Sequence, residues 1–159
     1  DDWSLNRADG TPFMLSDNVG EKPTVVLFWA TWCPYCKALM PHIESLLLEH
    51  GADAFEVAAI TIGEDGDPAM FLHKQGYDFT LLPDGEKVAE RYGIRGTPGV
   101  LIFDSQGQQV FDLRKQPAQT LETGNLSRRE VAARRGPYWA AQIRQALDGA
   151  LEENIAPAR

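Results

Sequence analysis

Residues 24–37 read TVVLFWATWCPYCK and decide the fold of this 159-residue chain. Their first half is β-branched and aromatic, as in a strand buried on both faces, and Pro34 suits the first turn of a helix. The two cysteines of the chain, Cys33 and Cys36, therefore stand where a strand ends and a helix begins. Unpaired backbone N–H groups and the positive end of the helix dipole favour an anion there, so the pattern predicts a thiol of lowered pKa.

The two-residue spacing of the cysteines predicts a redox-active pair. We expect Cys33, nearer the helix end and solvent, to attack a disulfide, and Cys36, one turn inward, to resolve the mixed disulfide. A structural zinc site normally takes four ligands, and the three histidines, His42, His50 and His73, show no matching spacing. A purely structural disulfide would close so short a loop that it would remove little chain entropy.

The segment around the cysteines resembles the active-site strand and helix of thioredoxin-fold proteins. Over residues 3–112 the chain is similar to the TlpA-like group, bacterial membrane-anchored or periplasmic thiol-disulfide oxidoreductases that include the cytochrome c maturation thioredoxins. The matching motifs, beyond residues 28–37, are Pro41, Asp9-Gly10, Phe13, Leu15-Ser16-Asp17, Lys22-Pro23, Asp84-Gly85, Val88, residues 92–98, residues 101–104 and Gly107.

This resemblance implies further site residues. It implies a cis peptide bond before Pro98, packed against the cysteine pair, with the backbone of Thr97 pairing to an extended substrate segment. Trp32 offers a large apolar surface beside the reactive thiol, on which partner chains would dock. Pro34 and Tyr35 complete the expected substrate-binding set, although Trp32 and Tyr35 can also be interpreted as half-buried aromatic residues.

Two acids found in related proteins are absent. The buried acid that many thioredoxins carry in the strand before the cysteines is replaced by Leu27, and the helix glutamate of some TlpA-like proteins is replaced by Leu39. Glu64, at the expected carboxyl end of the next strand, is a candidate for proton transfer. Lys37 is a second candidate, with a solvated helix position as the simpler interpretation.

Two alternative functions stay open. A pair of soft thiolates could hold Cu(I), as in a thioredoxin-fold metallochaperone, although related copper carriers use wider cysteine spacing and a later histidine. Cys-Pro-Tyr-Cys is also the glutaredoxin sequence, which suggests a glutathione-linked reductase. The glutathione-binding residues expected after Pro98 are not recognisable in residues 99–102.

Composition favours one domain with protein partners. The chain is 43% hydrophobic and carries a net charge of −8, which opposes nucleic acids and anionic membranes. The expected partners are protein thiol or disulfide substrates and a protein electron donor, with no metal or organic cofactor and a monomeric state. No membrane-spanning run or signal segment is present, and an anchor before Asp1 would suit the periplasmic location and redox-homeostasis role that the family implies.

Alternating strands and helices predict an α/β thioredoxin fold, a central mixed sheet flanked by helices. The expected single domain, 1–159, comprises an N-terminal hairpin extension (1–23), a core (24–112), an irregular insertion (113–126) and a C-terminal helical segment (127–159). Within the core the patterns predict strands at 24–30 and 55–61, helices at 34–49, 67–76 and 84–91, and a hairpin of 100–103 with 109–113.

Two features of the helices carry further expectations. Pro41 should kink the helix after the cysteines because it removes a hydrogen-bond donor. Ser127 and Glu130 form a capping box that should start the last helix, and Gly136-Pro137 should interrupt it. Beyond that interruption an apolar stripe is expected at Trp139, Ile143, Leu147 and Leu151.

Overall fold

A computed structural model describes residues 2–155 of the chain. Its strands are β1 (Ser4–Asn6), β2 (Pro12–Met14), β3 (Thr24–Trp29), β4 (Glu56–Thr61), β5 (Thr80–Leu82), β6 (Gly99–Phe103) and β7 (Gln109–Asp112). The helices are α1 (Pro34–His50), α2 (Pro68–Gln75), α3 (Glu86–Arg91) and α4 (Arg128–Ile155), with 3₁₀ turns at Leu15–Asn18 and Leu113–Lys115.

Five strands form a mixed sheet in the order β5-β4-β3-β6-β7, and β1 and β2 form a separate antiparallel hairpin. Strand β4 runs parallel to β3 and β5, whereas β6 is antiparallel to β3 and β7. The mixed sheet with flanking helices is the thioredoxin fold expected from the sequence. Because β3 is central, its carboxyl end delivers the cysteines to the middle of one sheet edge.

Strand β3 divides the core into two halves because its side chains alternate between the two faces of the sheet. Val25, Leu27 and Trp29 pack with the apolar faces of α1, α2 and α4 and with both cysteines. Val26 and Phe28 point to the opposite face, where they meet residues of the N-terminal hairpin and α3. The uninterrupted apolar run of β3 reflects this burial on both sides.

Most expected elements lie within one residue of their observed bounds, with two differences in the region 80–91. Strand β5 was not predicted, because its three residues are too few to show a strand pattern. The helix expected at 84–91 begins at Glu86, since Asp84 has a φ of +57° and cannot continue a right-handed helix. Gly85 is required next to it, because a Cβ there would lie 1.9 Å from a methyl carbon of Ile60.

The expected interruption at Gly136-Pro137 is wrong: α4 runs without a break from Arg128 to Ile155. Gly136 faces α1, where an added Cβ would lie only 2.8 Å from the carbonyl oxygen of Ala38, so the glycine permits close helix packing. Pro137 and Ala133 are exposed, and water can therefore bind the Ala133 carbonyl that has no N–H partner at Pro137.

Other expectations for the helices are met. The Ser127 hydroxyl accepts the Glu130 N–H and the Glu130 carboxylate accepts the Ser127 N–H, which forms the predicted capping box. Ile143 and Leu147 are buried in the α1-side core, and Trp139 and Leu151 pack against it. Pro41 lies inside a continuous α1, and the kink there stays a prediction. Within residues 2–155, no helix combines the length and apolarity needed to cross a lipid bilayer.

Candidate active site

The paired cysteines lie at the start of α1, as the sequence predicts. Cys33 is the N-cap residue, and its sulfur accepts a hydrogen bond from the backbone N–H of Cys36 at 3.2 Å. Pro34 occupies the first helical position, where a missing N–H costs nothing. The free N–H groups of the first helical turn therefore point toward the Cys33 sulfur, which favours its ionised form.

Neither cysteine is in a disulfide, and the two have opposite pKa shifts. A hydrogen bond from the Cys36 side chain is the main cause that lowers the pKa of Cys33 to about 6, against the opposing effect of burial. Burial raises the pKa of the Cys36 thiol far above its usual range, and the neighbouring Cys33 adds to that shift. At neutral pH one sulfur is therefore a thiolate and the other a thiol.

Both cysteines are buried, and Cys33 lies slightly nearer to solvent, as the sequence predicts. Cys33 is 2% exposed, whereas Cys36 is fully buried. The neighbouring residues Trp32, Pro34 and Thr97 line two grooves next to the cysteine pair. The main difference between the thiols is one of ionisation, which is set by the deeper burial of Cys36 and by the hydrogen bonds to the Cys33 sulfur.

The Thr97-Pro98 peptide bond is cis, and the Thr97 carbonyl oxygen lies 3.6 Å from the Cys33 sulfur. This geometry matches what the family resemblance implied. Arg114 holds the preceding loop in place, since its guanidinium donates to the carbonyl oxygens of Tyr92 and Gly93 at 3.0 and 2.7 Å. The buried Asp112 carboxylate fixes that guanidinium through two further hydrogen bonds, and the pairing lowers the pKa of Asp112.

Trp32 is 54% exposed beside the thiols, and its indole N–H donates to the Gly63 carbonyl at 2.8 Å. The ring therefore stands fixed at the surface. On one side it borders a groove of about 400 Å³ that reaches Thr97. The remaining lining residues are Ile62, Gly63, Glu86, Ala89, Glu90, Gly93, Ile94, Arg95 and Gly96.

A second groove lies on the other side of Trp32, and sequence reasoning missed it. It measures about 460 Å³ and runs between the first turns of α1 and α4. Three of its lining residues are cations, Lys37, Arg128 and Arg129. The paired arginines inside the capping box of an acidic chain were the signal that could have revealed it.

Tyr35 is half-buried and packs against Trp139 of α4, with ring centroids 6.1 Å apart. This contact ties the active-site helix to the last helix and explains Tyr35 as a packing residue. Its expected contact with substrate stays a prediction. Lys37 lies at the surface of α1, with its ammonium 5.8 Å from the Phe71 ring centroid.

Glu64 lies at the carboxyl end of β4, where its carboxylate accepts four hydrogen bonds. The donors are the N–H and hydroxyl of Thr31, at 2.9 and 2.6 Å, and the N–H groups of Asp65 and Gly66. Partial burial favours a raised pKa for Glu64, but these hydrogen bonds outweigh it and the net shift is downward. A weakly basic carboxylate bound to the Thr31 loop is suited to holding that loop before Cys33.

The described residues also bear on the copper alternative. Between Asp2 and Ile155 there is no group of three or more histidine, cysteine, aspartate or glutamate side chains arranged to hold a metal ion. The two cysteine sulfurs therefore have no third ligand of this kind beside them.

Fold and site together define a thioredoxin-fold thiol-disulfide oxidoreductase. Residues 1–110 match the family model described as the AhpC/TSA family, and the chain belongs to this family. The match covers the hairpin, both cysteines, the cis-proline loop and β6. It ends before the irregular insertion and α4.

Curated relatives carry names that agree with this class. The chain is 32% identical over 122 residues to the thiol-disulfide oxidoreductase ResA of Halalkalibacterium halodurans, covering 69% of each protein. It is 35% identical over 104 residues to a thioredoxin-like protein of Haemophilus influenzae, covering 63% of this chain and 59% of that protein. It is 30% identical over 131 residues to the soluble secreted antigen MPT53 of Mycobacterium tuberculosis, covering 82% and 73%.

A solved structure has the same fold. A thiol:disulfide interchange protein of the thioredoxin family from Chlorobium tepidum superimposes with a TM-score of 0.69 and 19% identity, covering 94% of this chain and 93% of the other. That coverage extends past the family match. The C-terminal region is therefore part of a shared architecture.

Proposed function

We propose that this oxidoreductase reduces disulfides in protein substrates, with Cys33 as the attacking thiolate and Cys36 as the resolving thiol. The observation that carries the proposal is the position of Cys33 at the N-cap of α1, where its sulfur accepts the Cys36 N–H, while Cys36 is fully buried. The two sulfurs accordingly have opposite pKa shifts. A thiolate is the nucleophile in disulfide exchange, whereas a thiol kept protonated cannot compete for the substrate. The pair therefore has a defined order of action.

The proposed reaction conserves electrons and protons. The Cys33 thiolate attacks one substrate sulfur, a mixed disulfide forms, and the other substrate sulfur leaves as a thiolate. Cys36 then loses its proton to solvent or to that leaving sulfur, attacks the Cys33 sulfur and releases the second substrate thiolate. The substrate gains two electrons and the cysteine pair is oxidised, so a dithiol protein must restore it. No organic cofactor or metal enters the scheme.

Substrate contacts follow from the surfaces around Cys33. We assign the backbone of Thr97 beside cis-Pro98 to an extended substrate segment, and the exposed Trp32 ring to its apolar side chains. Pro34 contributes to the surface on the α1 side. Tyr35 supports this surface because its ring packs against Trp139 of α4.

The names of the relatives bear on the partners and the location of this chain. A thiol-disulfide oxidoreductase of this family acts on proteins, and one relative is named as a secreted protein. We propose that this chain works as a monomer outside the cytoplasm, in the periplasm or on a membrane facing it. Apocytochrome c is one substrate to test, since cytochrome c maturation thioredoxins belong to the group that the chain resembles.

Trapping of the mixed disulfide tests the assigned roles. A Cys36→Ala variant, mixed with a peptide disulfide, should accumulate a covalent adduct at Cys33, because the resolving thiol is missing. The matched Cys33→Ala variant keeps only the thiol of raised pKa and should form adduct at least about 100-fold more slowly at pH 7. For both variants, intact mass measures the amount of adduct and peptide mapping identifies the modified cysteine. Comparable rates for the two variants would contradict the assignment.

A further inference from the structure

The groove between the first turns of α1 and α4 has a charge opposite to that of the whole protein. The chain carries a net charge of −8, yet three cations, Lys37, Arg128 and Arg129, line this groove of about 460 Å³. All three side chains are exposed. Trp32 and Pro34, the residues that flank Cys33, form its other end. Positive charge is thus concentrated next to the reactive sulfur.

The positions of these cations are locally unfavourable. Arg128 and Arg129 are the first two residues of α4, and Lys37 lies in the first turn of α1. The amino end of a helix carries partial positive charge and disfavours cations. Within residues 2–155, neither arginine has a carboxylate at ion-pair distance, and the nearby Glu130 carboxylate is bound to Ser127 in the capping box. Nothing in the fold itself therefore accounts for the arginine pair.

The two grooves beside Trp32 differ in chemistry. The groove toward Thr97 has apolar walls that include Ile62 and Ile94. Its charged residues are Glu86, Glu90 and Arg95. The opposite groove is basic. A partner chain lying across Trp32 would meet both signs of charge on one side and only cations on the other.

We propose that Arg128, Arg129 and Lys37 form a docking site for an acidic segment of the protein substrate, next to the disulfide that Cys33 attacks. This inference rests on the proposed function. Charge complementarity selects the occupant: an acidic segment is repelled by most of the surface and attracted here, so it would orient the substrate across Trp32. The site thus sets substrate preference for the same reaction.

Synthetic disulfides of defined charge test the proposal. The probe is a short peptide with one cysteine bonded to a neutral fluorescent thiol, flanked on either side by four aspartates, four serines or four lysines. The second-order rate of fluorophore release by the reduced protein is measured at 20 mM and 1 M NaCl. We expect the acidic peptide to react about fivefold faster than the serine peptide at low salt. The preference should vanish at 1 M salt, where the Debye length is about 3 Å.

Variants assign the preference to the groove. R128S/R129S should remove most of the acidic preference, R128K/R129K should keep most of it, and R128E/R129E should favour the lysine peptide. These exchanges lie at a helix start that tolerates serine and glutamate, so folding is retained. The matched control K74S/R134S removes the same charge from exposed positions outside the groove and should keep the preference.

Each outcome bears on a separate claim. Equal rates for the acidic and serine peptides, or an acidic preference that survives R128E/R129E, would overturn the docking site while leaving disulfide reduction intact. Loss of the preference in K74S/R134S as well would show that net charge, not the groove, sets it. Failure of the parent protein to reduce the serine peptide would instead contradict the proposed function.

Discussion

Pro34 and Pro137 lie in two helices that pack against each other, and they have opposite effects on their helices. Pro34 opens α1, where no N–H partner is lost, and it places Cys33 at the N-cap. Pro137 lies inside α4, where it removes one backbone hydrogen bond. The α4 helix continues there nonetheless, because Gly136 lets its backbone touch Ala38 of α1.

The difference shows that tertiary contacts can outweigh a local sequence preference for ending a helix. At the start of α1 the residue preferences, the cap and the packing all favour the same structure. In the middle of α4 local preference favours a break, and the contact with the active-site helix outweighs it. Tyr35 and Trp139 meet next to this contact, so the middle of α4 supports the helix that carries the cysteines.

The largest expected effect concerns the start of α1 and depends on pH. The pKa of Cys33 is about 6 in the folded protein, below that of an unfolded cysteine near 8.5, so between these values the unfolded state binds more protons. The free energy of unfolding of the reduced protein should therefore rise with pH across this window, by about 3 kcal/mol, and fall as pH drops through 6.

Urea unfolding of the reduced protein from pH 5 to 8.5 measures this rise. The reduced Cys33→Ser variant is the control, since it removes the titrating thiol and keeps the other ionisable groups. Parallel pH profiles for the two proteins would mean that the start of α1 does not stabilise a thiolate.

The next effect tests the helix contact at Gly136. Gly136→Ala should lower the free energy of unfolding by about 2 kcal/mol, because the new Cβ meets the Ala38 carbonyl group. Gly149→Ala, in the same helix, is the matched control: its Cβ would have open space, so it should raise stability by about 0.5–1 kcal/mol. Equal effects of the two substitutions would contradict the claim that the close contact between Gly136 and Ala38 keeps α4 unbroken.

Pro137→Ala tests the contrast between the two prolines directly. In a continuous helix this exchange restores a hydrogen bond to Ala133 and should raise the free energy of unfolding by about 1–2 kcal/mol. Pro34→Ala serves as the comparison, because a first-turn proline blocks no hydrogen bond, and its effect on stability should be smaller. A loss of stability in Pro137→Ala would favour the interrupted helix.

The smallest effect concerns the loop that leads into Cys33. Glu64→Gln weakens the charge-assisted hydrogen bonds to Thr31 and should cost about 1 kcal/mol of stability at neutral pH. Because the pKa of Glu64 is lowered in the folded state, this contribution is present above the pKa of a free glutamate and is lost as pH falls through the folded value. Unfolding at pH 7 and pH 3 checks it, with exposed Glu152→Gln as control.

The sequence predicted the central strand, the active-site helix and the cysteine pair because these depend on short-range signals that agree with one another. Apolar runs, a capping residue and a first-turn proline lie within residues 24–36. The position of cis-Pro98 came from family resemblance, since nothing in the surrounding residues specifies a cis bond.

Features that depend on distant contacts were missed. The continuity of α4 requires knowledge that Gly136 touches Ala38, nearly a hundred residues earlier in the chain. The basic groove brings together Lys37 of α1 and Arg128 and Arg129 of α4. The groove between Trp32 and Thr97 is lined by residues from three separate segments of the chain. Strand β5 has only three residues, and it pairs with β4, a strand about twenty residues earlier in the chain.

The pH dependence of thiol alkylation tests the central claim most directly. Reduced protein is treated with limiting iodoacetamide between pH 4 and 9, and peptide mapping assigns the modified residue. We predict that Cys33 reacts with a single midpoint near pH 6 while Cys36 stays unmodified. Reaction of both cysteines with a shared midpoint near 8.5, or faster modification of Cys36, would contradict the assigned order of the two sulfurs.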